Sequence, residues 1–251
     1  MGEVTGISWT DHTFNSWIGC TKVSPACDIC YAERDAKRYG LASWGDDAPR
    51  RAMSDHYWKQ PLKWNRKAEA AGERKRVFCS SMADVFEARE DLDVHRLRLW
   101  ETILATPFLD WLLLTKRPEN FLRMLPPSWI QQPQANVWLG VTAENQRRAD
   151  ERIPQLLAVP AEIHWVSAEP LLGTINFSRF HDGVDWVIVG GESGKGCRPM
   201  EVSWAIDILS QSRQYGFAYF MKQLGGHPDK KKDPAQWPDA LAVQEFPVLV
   251  L

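Results

Sequence analysis

A chain of 251 residues that is 44% hydrophobic and 25% charged has the make-up of an ordinary soluble globular protein, long enough for one large core or two small ones, and one domain is expected. The net charge of −2 and a pI near 6.3 exclude a general electrostatic pull toward polynucleotides or anionic membranes, so a polynucleotide partner would have to be held locally. There is no apolar run of about 18 residues, and the N-terminal residues lack the basic and apolar regions of a signal peptide, so no membrane partner and a cytoplasmic location are expected. In that compartment, clustered cysteines serve as metal ligands or redox groups more readily than as disulfides.

A first strand is expected near residues 8–17, followed by a cysteine-rich loop and a helix from about Tyr31 to Tyr39. Residues 41–75 are polar and aromatic with no clear period, and read as an irregular insertion over one face. From there on, short β-rich runs alternate with helical stretches. The runs cover 77–80, 111–115, 137–141, 163–167, 185–189 and 217–221. Their spacing is that of a strand, a loop and a helix, and their near-continuous apolarity fits strands covered on both faces. Residues 94–104 and 204–209 have helical spacing, while Pro118 and Pro170 mark loops leaving strand ends. The fold class is therefore α/β: a partial or closed (β/α) barrel of about six to seven parallel strands over residues 1–224, with an irregular C-terminal extension at 225–251. In that extension the run Lys230-Lys231-Lys232 reads as a solvated turn ahead of a nucleic-acid patch. Of the thirteen Trp, those at the starts of runs, namely Trp111, Trp138, Trp165 and Trp186, read as core packing.

Each run ends in polar residues at the same point of its unit. These are Ser81-Met82-Ala83-Asp84, Thr115-Lys116-Arg117, Thr142-Ala143-Glu144-Asn145, Ser167-Ala168-Glu169, Gly190-Gly191-Glu192-Ser193 and Lys222-Gln223. Ligands of barrels and open α/β sheets bind at the carboxyl ends of strands, because side chains from several strands converge there. The competing role for such residues is to cap the next helix or to pair with Lys116, Arg117 and Lys222. The Gly190-Gly191 pair lets backbone approach a ligand and offer N–H groups. Neither a P-loop nor a Gly-x-Gly-x-x-Gly turn is present, which counts against nucleotide hydrolysis and dinucleotide binding.

The strongest chemistry lies in Cys20, Cys27 and Cys30, spaced C-x6-C-x2-C on a loop shaped by Gly19 and Pro25. Three thiolates can hold a [4Fe–4S] cluster and leave one iron open for a substrate or cofactor. Zinc is the rival, with a histidine such as His12 completing a tetrahedron, although zinc ligands usually come as two close pairs. Cys79, inside an apolar run, reads as a buried thiol and Cys197 as a surface thiol.

The cysteine loop, with a hydrophobic residue directly before its last cysteine and a run of βα units after it, resembles the radical S-adenosylmethionine (SAM) superfamily. Residues 17–20 (Trp-Ile-Gly-Cys), 27–33, Ser81-Met82-Ala83-Asp84, Thr115-Lys116-Arg117-Pro118, Trp138-Leu139-Gly140-Val141, Glu169-Pro170-Leu171-Leu172-Gly173, Gly190-Gly191-Glu192-Ser193-Gly194 and Lys222-Gln223 together resemble a phage-associated three-cysteine-motif family of largely unassigned role. The usual superfamily loop is C-x3-C-x2-C, and its methionine-binding triplet follows the second strand, earlier than Gly190-Gly191-Glu192. The resemblance implies an enzyme that cleaves SAM reductively at a [4Fe–4S] cluster on Cys20, Cys27 and Cys30 and abstracts hydrogen from a small-molecule, nucleoside or nucleic-acid substrate. An electron donor such as flavodoxin or ferredoxin is implied as a partner. Ile29 would pack on the adenine. Ser81 and Asp84 would meet the methionine amino group, and Thr142, Glu144, Ser167 and Glu169 the ribose or substrate. Lys116, Arg117 and Lys222 would suit an anionic group. The candidate catalytic residues are thus Lys116, Glu144, Glu169 and Lys222; the candidate cofactor contacts are Ile29, Ser81, Asp84, Thr142, Ser167, Gly190, Gly191 and Glu192. The alternative function is a zinc-stabilised nucleic-acid-binding module, in which Arg74-Lys75-Arg76 and the Trp side chains of residues 41–64 would grip a strand by charge and stacking.

Overall fold

A computed structural model describes residues 5–248. The chain divides into two compact units. The first takes the residues up to Val23, then Ala32–Leu139 and Pro160–Glu162. It contains β1 (His12–Phe14), β2 (Trp17–Ile18), α1 (Tyr31–Arg38, less its first residue), β3 (Arg51–Ala52), α2 (Asp55–Trp58), α3 (Gln60–Ala71), β4 (Lys75–Cys79), α4 (Asp93–Leu104), β5 (Leu109–Thr115), α5 (Phe121–Met124), α6 (Pro127–Gln131) and the start of β6 (Val137–Thr142). The second takes Ser24–Tyr31, Gly140–Val159 and the residues from Ile163. It contains the end of β6, α7 (Gln146–Leu157), β7 (Ile163–Ala168), β8 (Trp186–Gly190), α8 (Val202–Tyr215) and β9 (Ala218–Gln223).

Seven strands form one sheet in the order β1-β4-β5-β6-β7-β8-β9, while β2 and β3 pair separately and antiparallel. The pairs β1/β4, β4/β5, β7/β8 and β8/β9 are parallel. Sheet order follows chain order, as successive right-handed βα units require. Among the described residues no pairing joins β9 to β1, so of the two barrels the sequence allows, the structure is the partial one. The strands are buried as their apolarity demands: every residue of β6 and β8 is buried, and β5 is buried at all but one position. Close packing sets one residue in β6. A Cβ on Gly140 would lie 2.3 Å from the Trp165 ring.

The helices with irregular sequence periods carry polar residues at core positions. On α7 the buried positions are Ala149, Arg152, Ile153 and Leu156, so an arginine interrupts the apolar stripe. Residues 41–75 include α3, which buries Pro61, Trp64, Asn65 and Ala68 and ends at Gly72 in the left-handed region. Asn65 accepts from the Phe108 N–H at 2.9 Å, which explains a polar group on that face. The tail runs along β9: Met221 N–H donates to Val243 O, Glu245 N–H donates to Tyr219 O, and Trp186 Nε1 donates to Glu245 O. This covers the open edge of the sheet.

The tryptophans are core residues, all buried except Trp44 and Trp204. Trp58 and Trp64 therefore offer no stacking platform for a strand. Trp64 stacks on His12 with centroids 4.4 Å apart, and Trp58 lies against Phe14 and under Arg98. The basic stretch is neutralised as well: Arg74 pairs with Asp110, Lys75 with Glu73 and Arg76 with Asp11. No described helix is long and apolar enough to cross a membrane.

Adding one methyl group at Gly140 will overpack the second unit. Gly140→Ala is expected to lower stability by about 2–3 kcal/mol in urea denaturation, because the Trp165 ring has no space to yield.

Candidate functional site

In the first unit the site is built around Cys20. Gly19 precedes it with φ 119°, and a Cβ there would lie 2.9 Å from Arg50 Cδ, so glycine is what lets the arginine pass. The Gly19 N–H donates to Met82 O at 3.0 Å, tying the loop to the end of β4. The Arg50 side chain is 1% exposed. Its nitrogens donate to both Glu87 oxygens, to Thr21 Oγ1, and to the carbonyls of Gly45 and Ala48. Arg117 is its neighbour. Arg117 donates to Thr21 O at 2.8 Å, to Asp84 at 2.9 Å and to Cys20 Sγ at 3.6 Å, and lies 3.8 Å from Glu87. Burial opposes the guanidinium charge, but Asp84 and Cys20 outweigh it and hold the Arg117 pKa above its ordinary value. Burial, followed by Asp84, pushes the Cys20 thiol up to about 12, while Arg117 acts in the opposite direction. A buried ionic network of this kind fixes geometry, because any displacement strands a charge.

Asp84 does not present a free carboxylate. One oxygen accepts from Thr115 Oγ1 and the Phe86 N–H, the other from the Lys116 N–H and Arg117. It joins the end of β4 to the end of β5. Ser81 accepts from Asn15 Nδ2 at 3.1 Å, and Asn15 Oδ1 in turn accepts from the Met82 N–H. The Lys116 side chain is half-buried at the end of β5 and has no salt-bridge partner among the described residues. His12 begins β1, stacked on Trp64.

In the second unit lie Cys27, Cys30 and the residues between them. A 3-10 turn at Pro25–Cys27 is closed by the Cys27 N–H donating to Ser24 O and the Asp28 N–H to Pro25 O. Two strand-end glutamates hold this segment. Glu144 is fully buried, accepting from the Ala26 N–H at 3.3 Å and from Arg152 at 2.9 Å. Glu192 forms a two-oxygen pair with Arg198 through Nε and Nη2; Nη2 also donates to Pro25 O at 2.7 Å, and Nη1 donates to Asp28 at 3.3 Å. Both glutamates thus act on the cysteine loop, a role the sequence pattern does not disclose. Ile29 is half-buried beside Gly196.

The remaining strand ends make a second cluster in the same unit. Glu169 Oε1 is 2.7 Å from Lys222 Nζ, and Ser167 Oγ donates to Glu169 at 3.4 Å. A Cβ on Gly190 would lie 2.6 Å from Glu169 Oε1, so glycine makes room for the carboxylate. Gly191 is a packing glycine: a Cβ would lie 2.0 Å from Leu224 O, its N–H donates to Gln223 O, and its carbonyl accepts from Gln223 Nε2. Its N–H is therefore committed to the protein. Thr142, 1% exposed at the end of β6, keeps a hydroxyl with no partner among the described residues.

The residues the sequence pattern passes over are Arg50, Glu87, Arg152 and Arg198. Arg152 alone leaves a trace, as a charge at a core position of α7. Among the described residues no three His, Cys, Asp or Glu side chains stand together as a metal-binding group. The donor chemistry nonetheless fits an iron–sulfur cluster. Cys20, Cys27 and Cys30 are free of disulfides and half-buried, and the number of soft thiolate ligands leaves one of four irons open. The unsatisfied Thr142 hydroxyl suits a polar ligand such as SAM. Cys79, fully buried, has its thiol pushed up to about 12 by burial, and Cys197 is half-buried.

The fold the site stands on is thus an α/β one, a partial (β/α) barrel of parallel strands. The chain belongs to the family described as "Protein of unknown function (DUF5131)", whose model matches residues 4–244. No curated protein matches it. Among solved structures it is similar to a doubly substituted spore photoproduct lyase with bound AdoMet and dinucleoside spore photoproduct. The identity is 13%, the TM-score 0.50, and the match covers 86% of this chain and 56% of that one. A singly substituted form of the same lyase gives 13% identity and a TM-score of 0.48, over 89% and 60% of the two chains. The chain thus spans less than two thirds of either structure.

Removing Arg117 will leave Asp84 and Glu87 buried without a shared cation. Arg117→Leu is expected to cost about 3 kcal/mol in urea denaturation. Arg117→Lys, which keeps the charge and loses the forked contacts to Thr21 and Cys20, should cost less.

Proposed function

We propose that this chain is a radical SAM enzyme. The observation that carries the reading is how the cysteine loop is held. In the first unit Arg50 and Arg117 act on Cys20 and Thr21; in the second, Glu144 and Arg198 act on Pro25, Ala26 and Asp28. A loop of three undisulfided thiols held by the buried charges of Arg50, Arg117 and Glu144 and by the half-buried Arg198 is arranged for a ligand and not for solvent. In this reading Cys20, Cys27 and Cys30 are the ligands of a [4Fe–4S] cluster. The cluster and SAM, when bound, supply reductive cleavage of a carbon–sulfur bond and hydrogen abstraction from the substrate.

The chain's own residues then bind and orient. Thr142 offers its hydroxyl to SAM, and Ile29 offers an apolar surface to the adenine. Glu169 and Lys222 hold one another in a fixed pair that orients the substrate. Lys116 adds a cation at the end of β5. Asp84 and Glu192, spent on Arg117 and Arg198, position the loop and do not touch the cofactor. An electron donor such as flavodoxin or ferredoxin completes the cycle. The substrate in this reading is a nucleoside or nucleic acid, a class that includes the dinucleoside bound in the lyase structure of similar fold.

Anaerobic reconstitution with iron and sulfide tests this. A brown protein is expected, with about four iron and four sulfide per chain. Each of Cys20→Ala, Cys27→Ala and Cys30→Ala should lose the charge-transfer absorbance, and the dithionite-reduced protein should form 5′-deoxyadenosine from SAM. A colourless protein carrying zinc would overturn the reading in favour of a zinc-stabilised binding module. An iron–sulfur protein that leaves SAM intact would remove the cleavage chemistry.

A further inference from the structure

In the first unit, α4 is apolar on two opposite sides. Its inward side buries Leu99, Trp100 and Ile103 beside Arg96, as a helix packed on a sheet should. The outward side of such a helix is ordinarily polar. Here it carries Val94, Leu97 and Leu104, all more than half exposed, with the exposed Glu101 among them. The four positions follow one another at intervals of three, four and three residues. That is the spacing of a stripe that packs along a second helix, and it is unlike the scattered single apolar residues of an ordinary surface. Trp100 ties α4 to α5 through Nε1 and Met124 O at 3.2 Å, and on α5 Leu122 adds a further exposed side chain.

The charges beside the stripe identify what covers it. A cleft of about 420 Å³ opens at Leu97, and its charged lining is of both signs: Arg89, Arg96 and Arg123 with Glu90 and Asp93. Arg96 is spent within the fold, on Val85 O, Glu87 O and Asp93. Glu90 and Arg123 are exposed, and Arg123 donates to the neutral Asn120 at 3.2 Å. Such a lining selects neither a strongly acidic nor a strongly basic partner. It is complementary to its own copy, because a two-fold axis can set the cations of one chain against the carboxylates of the other.

We propose that α4 and α5 form the interface of a homodimer, in which α4 packs antiparallel on the α4 of a second copy across a two-fold axis. In that arrangement Val94 of one chain meets Leu104 of the other, and Leu97 meets Glu101. A polar residue inside an apolar stripe fixes register at a cost in affinity. With α4 only about 18 Å long, the interface is far from the size of large obligate ones, and the dimer is reversible. It also braces the segment behind the first thiol. Arg96 holds the Glu87 carbonyl while the Glu87 carboxylate holds Arg50, and Arg89 shares the Ala48 carbonyl with Arg50.

The test is sedimentation velocity of the purified full chain over about 1–100 μM, the range that resolves a micromolar equilibrium. The wild type is expected to move from 28.7 kDa toward twice that mass as concentration rises. Leu97→Asp and Val94→Asp each place a charge in the stripe and should weaken association about thirtyfold, the loss of a hot-spot side chain. Leu97→Ala, which suits the helix, should weaken it less. Glu101→Leu should tighten it with the mass still stopping at the dimer, a gain that no folding defect imitates. Leu62→Asp, at an exposed leucine of α3, should change nothing. Cluster content does not enter the measurement, so this proposal and the radical SAM reading can fail separately. A wild type that stays at 28.7 kDa throughout would overturn the proposal and give this face to a different protein. A dimer whose affinity is the same in Leu97→Asp, Leu97→Ala and Glu101→Leu would overturn it as well.

Discussion

The guanidinium of Arg117 is placed between the thiol of Cys20, the carbonyl of Thr21 and the carboxylate of Asp84, with almost no water to share. An arginine so buried is costly unless its charge is matched, and each match recruits another element. Asp84 brings the ends of β4 and β5 together, and Glu87 brings in Arg50. Through Arg50 the stretch between β2 and β3 becomes part of the site. The position of the first thiol is therefore decided by charge matching in a place where charges are hard to move.

In the second unit one sequence pattern, a small or hydroxyl residue followed shortly by glutamate, serves two ends. After β6 and β8 the carboxylates are turned toward the cysteine loop, Glu144 directly through the Ala26 N–H and Glu192 through Arg198. After β7 the carboxylate stays over the strand ends and meets Lys222. What differs is the partner: an arginine two helical turns further on, an arginine in the following loop, or a lysine displaced by a bulge.

That contrast marks how far the sequence could be read. The six later strands were legible because each is covered on both faces, so that apolar residues run together, as in Leu109–Thr115 and Trp186–Gly190. The helix beginning at Tyr31 was legible too. α3 and α7 were obscured by Asn65 and Arg152, polar residues in core positions whose partners lie elsewhere in the chain. Cys20, Cys27 and Cys30 stand out by spacing alone. Arg50 and Glu87 do not, since their pairing spans 37 residues and follows no local period. The strand-end carboxylates were found as residues but not as roles. A carboxylate that holds a loop and one that holds a ligand share the same local sequence, and only the partner tells them apart.

Arg50 also closes its own loop, donating back to the carbonyls of Gly45 and Ala48 only a few residues before it. Ordering a free loop when a ligand arrives subtracts conformational entropy from the binding affinity. Here that ordering takes place during folding, so the segment over Cys20 is already rigid when a ligand binds. The same closure makes the segment intolerant of length change. A single residue inserted between Gly45 and Arg50 would withdraw the guanidinium from Glu87 and Thr21 together, whereas most surface loops of that length would absorb it.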